Sequence, residues 1–74
     1  MNNAVEQRMK FIEVCLIDFG SIKRETVAKY FGISAPQATR DLSMYDELVG
    51  GIGYSKHSKR YEKMSTYKPY FDWE

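Results

Sequence analysis

A chain of 74 residues has room for one domain, expected over 1–74, with just enough apolar mass to hold a core unaided. Its 15% aromatic content and lack of any low-complexity run exclude a disordered chain, while a single cysteine and a single histidine exclude an internal disulfide and any Cys/His metal framework. The first residues are no signal peptide and no later run is long and apolar enough to span a bilayer, so the expectation is a soluble protein of a reducing cytoplasm without metal or cofactor.

Charge is uneven. Net charge is +1 overall, yet residues 1–50 carry six Lys/Arg against seven Asp/Glu and residues 51–74 five against three. Distribution therefore matters more than the sum.

Apolar residues Val5, Met9, Ile12, Leu16 and Phe19 alternate in steps of four and three, which predicts a first helix from about Val5 to Phe19, ended by Gly20. Phe11, Val14, Cys15 and Ile17 lie off that stripe and add more apolar surface than one face needs, so the C-terminal tail or a second subunit should cover it. Cys15 reads as core or interface filler rather than as a nucleophile.

Ser21 offers an N-cap for a short second helix, roughly Ile22 to Phe31, with Gly32 suited to a turn of positive φ. Ile33 can plug the angle to the next helix, and Ala28 would let that helix approach closely. Ser34 and Gln37 have the spacing of a capping box and Pro36 fits a first turn, so a third helix is expected over 34–48. Ala38, Leu42, Tyr45 and Val49 form its inner face, leaving Gln37, Thr39, Arg40 and Ser43 to point elsewhere. Two helices joined in this way form a helix-turn-helix, whose second helix enters the major groove of DNA.

Arg40 suits a bidentate bond to guanine, or else an ion pair with Asp41, Asp46 or Glu47. Gln37 could read adenine or only complete its capping box, and both uses stay open. Asp41, Asp46 and Glu47 are better placed to orient Arg40 or to fold the helix than to form an acid pair.

After Gly50-Gly51 and Gly53 the chemistry changes to turns and strands. A hairpin is expected, with Ile52, Tyr54 and Ser55 in one arm, Lys56-His57-Ser58 at the tip, Lys59 to Met64 in the other, and Tyr54 facing Tyr61. Lys56, Lys59, Arg60 and Lys63 make it basic, and a basic hairpin behind a helix-turn-helix is a wing that contacts the sugar-phosphate backbone. His57 reads as an exposed tip residue. The fold class is thus α+β, a winged helix-turn-helix of three helices followed by a β-hairpin wing at 55–63 and an aromatic tail, Ser65 to Glu74. Four aromatics in its last eight residues should pack on helix one or on a second subunit.

The run from Tyr30 to Leu42, continuing through Tyr45, Glu47, Leu48, Tyr54, Ser58-Lys59-Arg60-Tyr61 and Lys68-Pro69, resembles the amino-terminal winged helix-turn-helix of WYL-domain bacterial regulators. That group includes repressors linked to phage-defence islands, and the likeness covers about residues 18–71. Thr39-Arg40-Asp41-Leu42 is also similar to the recognition helix of deoxyribose-operon-type repressors. The resemblance implies a DNA-binding repressor in which Gln37, Thr39 and Arg40 face the DNA, Ser34 and Lys23 or Arg24 hold phosphates, and Lys56, Lys59 and Arg60 belong to the wing. Pro36, Ser43 and His57 complete the expected contact set.

Regulators of that kind continue into a ligand-sensing domain that helps them dimerise, so either a stand-alone phage or mobile-element regulator or an isolated domain is expected. One reading is a homodimeric regulator of double-stranded DNA, paired through helix one and the aromatic tail. The other is a winged-helix module of a phage or mobile element that binds and inhibits a host protein. No catalytic constellation is present, and an enzyme is not expected.

Overall fold

The computed structural model describes residues 1–73; Glu74, the end of the expected tail, lies outside the described residues. Three helices precede the wing: α1 (Asn3–Phe19), α2 (Arg24–Phe31) and α3 (Ala35–Val49). β1 (Ser21–Ile22) lies between α1 and α2, and β2 (Ile52–Ser55) and β3 (Arg60–Lys63) follow α3. No helix among the described residues is long and apolar enough to cross a membrane.

α1 starts earlier than the apolar stripe suggests, because the Asn2 side chain caps it by accepting from the Val5 amide. Its end is as expected: Gly20 takes φ 80°, a left-handed conformation that glycine adopts without strain, and its N–H caps the Leu16 carbonyl. Phe19, placed on the inner stripe by its spacing, is instead 78% exposed.

Ser21 does not cap a second helix. Ser21 and Ile22 form a two-residue strand paired antiparallel with β3, Ser21 opposite Glu62 and Ile22 opposite Tyr61, and Ile22 is buried. α2 therefore begins two residues later than Ile22, behind Lys23, which contributes no side-chain cap. Gly32 follows it at φ 66°, as the turn requires.

α3 is capped by Ser34, whose Oγ accepts from the Gln37 amide at 3.2 Å, with Pro36 in the first turn. The reciprocal half of the capping box does not form, since the Gln37 side chain bonds elsewhere.

In the sheet β3 is central, in the order β1-β3-β2. Tyr54 faces Tyr61 across β2 and β3 with ring centroids 5.0 Å apart, the cross-strand pair expected. Behind the sheet and between the helices, Met9, Ile12 and Leu16 of α1 meet Val27 of α2 and Ala38, Leu42 and Tyr45 of α3. Ile22 and Ile52 close this core from the strands.

The two adjacent glycines after α3 serve different needs. Gly50 holds φ 63° at the helix end. Gly51 is buried where the tail crosses it: a Cβ there would stand 2.5 Å from the Tyr67 Cα.

Candidate nucleic-acid interface

Each expected contact residue has a definite place. The cap residue Ser34 and, on α3, Pro36, Arg40 and Ser43 are exposed, and Gln37 is half-buried. Thr39 departs from the outward face assigned to it: it is half-buried, and its hydroxyl is enclosed with no hydrogen-bond partner among the described residues. It stands three residues before buried Leu42, about 60° away around the helix, and so lies on the flank of the inner face.

Arg40 forms no ion pair with Asp41, Asp46 or Glu47 among the described residues; its Nη2 donates to Gln37 Oε1 at 3.1 Å. Gln37 Nε2 in turn donates to Asp41 Oδ1 at 3.0 Å, and Arg8 Nε of α1 donates to Asp41 Oδ2 at 2.7 Å. Asp41 is 1% exposed. Its carboxylate is thus consumed by Arg8 and Gln37, and no local pattern marks Arg8, which lies 33 positions earlier.

The basic turn carries Lys56, His57 and Lys59, all exposed, with Arg60 exposed at the start of β3. Lys59 belongs to this turn rather than to the second arm and sits at φ 57°, a left-handed conformation unusual for a side chain with a Cβ. The turn is braced internally: the Lys59 amide donates to the Ser55 carbonyl at 2.7 Å, the Ser58 amide to Ser55 Oγ at 3.2 Å, and Ser58 Oγ to Glu62 at 3.0 Å. The wing is also tied to the body, because Arg60 Nη1 reaches Ser21 Oγ at 3.5 Å.

The first turn of α2 and the wing wall one open cleft of about 450 Å³, lined by Arg24, Glu25, Tyr54, Lys59 and Tyr61. Two cations from distant parts of the sequence thus flank one concave surface beside two tyrosine rings. Lys23 is half-buried at the foot of α2. Glu25 is the one acid of that wall among the described residues, and a hydrogen bond from its own backbone amide, then the Arg24 guanidinium, hold its carboxyl below the ordinary range.

The tail docks on α1 as expected, through a residue that sequence patterning missed. Glu13 is fully buried, and its carboxylate accepts from the Tyr45 hydroxyl, the Tyr70 and Phe71 amides and the Trp73 indole N–H. Phe71 packs against the core beneath the Lys10 ammonium, 5.6 Å from its ring centre. Trp73 then walls a shallow apolar groove with Phe11, Val14, Tyr30 and Phe31, in which Phe11 and Tyr30 stack at 4.2 Å. So the tail covers part of the surplus apolar surface of α1, and a groove remains.

A family model described as the BrxR transcriptional regulator winged helix-turn-helix domain matches residues 4–73. The chain is similar to the "DNA-binding transcriptional repressor CapW" of Escherichia coli strain KTE188, 36% identical over 67 residues, which is 89% of this chain and 22% of that protein. A protein of the same description from Stenotrophomonas maltophilia is 38% identical over 64 residues, 85% of this chain and 21% of that one. The Pseudomonas aeruginosa counterpart is 33% identical over 67 residues, 89% and 22%. The chain spans about a fifth of the length of these relatives. Three helices, an antiparallel wing and a match over nearly the whole chain agree with the resemblance drawn from Tyr30 to Leu42, and the chain belongs to the BrxR transcriptional regulator winged helix-turn-helix domain family.

Proposed function

We propose that this chain binds a specific double-stranded DNA sequence as the reading head of a transcriptional repressor, with α3 in the major groove and the basic turn of the wing on the backbone. The observation that carries the reading is the cleft in which Arg24 and Lys59 converge from α2 and the wing. Phosphate oxygens are bound by such convergent cations, and these contacts fix register without carrying sequence. The similar repressors named above, described as DNA-binding, support the same reading.

Within it Arg40 and Ser43 of α3 meet base edges or phosphates, Thr39 and Gln37 lie behind them, and Ser34 and Pro36 bring the capped helix start to the backbone. Lys23, Arg24, Lys56, His57, Lys59 and Arg60 hold the flanking phosphates. Two copies pair through α1 and the tail, because one helix and one wing bury too little surface for tight binding and a second half-site supplies the rest. The setting is the cytoplasm.

A second reading, capture of a host protein by a phage or mobile-element module, has one observation in its favour: the groove of Phe11, Val14, Tyr30 and Trp73 is apolar and open.

Gel-shift binding of the purified chain to DNA surrounding its own gene, at two salt concentrations, separates the readings. DNA binding that weakens steeply with salt, lost in preference by Arg40→Ala and in strength by Lys59→Ala/Arg60→Ala, supports the first. No shift at low salt, with salt-insensitive capture of a protein through the groove, supports the second.

A further inference from the structure

The chain Arg8–Asp41–Gln37–Arg40 runs from inside the fold to its surface, and its order of donors and acceptors is fixed. An ionised carboxylate only accepts. Asp41 spends one oxygen on Arg8 and presents the other to α3, so the Gln37 amide must turn its NH2 group inward and its Oε1 outward. That oxygen then receives Arg40 Nη2 and restrains the guanidinium. Among the described residues Arg40 makes only this hydrogen bond, which leaves Nε, Nη1 and the second proton of Nη2 for a ligand.

Resting on the DNA-reading function proposed above, we propose that Arg8 and Asp41 are positioning residues that set the base preference of Arg40 through Gln37. Gln37 acts in this scheme as a buttress to Arg40 rather than as an independent reader of adenine. A buried ion pair is a poor means of stabilising a fold, since desolvation offsets most of its attraction and an apolar pair of equal volume does as well. It is a good means of fixing direction, because a guanidinium reads guanine through two parallel bonds that a freely rotating side chain makes only part of the time. Arg8 thereby gives α1, which need touch no base, a part in sequence choice.

The test is selection from a random duplex library, scoring preference base pair by base pair for the wild-type chain and for Arg40→Ala, Gln37→Ala, Asp41→Asn and Arg8→Lys, with urea midpoints measured in parallel. All four variants are expected to relax the same base pair, by about tenfold or more for Arg40→Ala, and Asp41→Asn is expected to add nothing in the Arg40→Ala background. Gln37→Ala and Arg8→Lys keep the test open if Asp41→Asn fails to fold, since one removes a half-buried amide and the other preserves charge. The proposal is overturned if Gln37→Ala relaxes a different base pair from Arg40→Ala. It is equally overturned if Arg8→Lys and Gln37→Ala keep the full wild-type preference while only stability changes. A wild-type chain that selects no sequence removes the DNA-reading function itself.

Discussion

Glu13 of α1 and Tyr45 of α3, 32 positions apart, share a hydrogen bond of 2.6 Å inside the core. The same carboxylate receives the Tyr70 and Phe71 amides and the Trp73 indole, so one buried acid joins two helices and the tail. Glu13→Gln exchanges one acceptor oxygen for an NH2 group that faces donors. Stability should fall by about 2–3 kcal/mol, read as a lower urea midpoint. Trp73 is the sole tryptophan, and its emission should shift to the red as the tail loosens.

Alkali should unfold the protein through the tyrosines behind that carboxylate. Burial, then the hydrogen bonds to Glu13 and Tyr67, push the Tyr45 phenol far above its ordinary value near 10. Burial raises Tyr67 as well. Above pH 10 the unfolded chain gives up these protons and the folded one keeps them, so stability, fully present below that pH, declines as pH rises. Urea midpoints measured from pH 8 to 11.5 should drop beyond pH 10, and Tyr45→Phe should flatten the drop.

The two glycines after α3 should fail in different ways. Gly51→Ala drives a methyl group into the Tyr67 backbone and should cost about 1–3 kcal/mol or displace the tail. Gly50→Ala meets open space and carries only left-handed strain, about 1–2 kcal/mol. Gly50→Asn should recover part of that loss and Gly51→Asn none, a distinction that thermal melts resolve.

Lys59 permits charge to be removed without harm to the turn. Its φ of 57° favours glycine, so Lys59→Gly should leave the melting temperature unchanged or raise it. If Lys59 neutralises a phosphate, the slope of log affinity against log salt should shrink by about one. An unaltered slope would place this lysine off the DNA.

Most of the fold was legible in the sequence because its signals are local. Ser34 with Pro36, and Gly20, Gly32 and Gly50 behind their helices, mark boundaries through the chemistry of a few neighbouring atoms. Ser21 misled for the same reason: a serine before an apolar residue looks like a cap, and only pairing with Glu62 and Tyr61, far along the chain, makes it a strand. Glu13 and Arg8 were invisible as site residues because each resembles an ordinary polar position of an amphipathic helix. Their partners are brought to them by tertiary structure alone. Thr39 departs from its expected place because it flanks buried Leu42, one turn of the helix on.

β1 is two residues long, yet it makes β3 an inner strand, so the base of the wing is paired on both of its sides. The Lys63 amide is also held by the Gly20 carbonyl at 3.1 Å, so the hairpin is continuous with the joint between α1 and α2. An arm mounted in this way gives up little freedom when it meets a ligand, and the entropy of docking falls mainly on the long side chains at its tip.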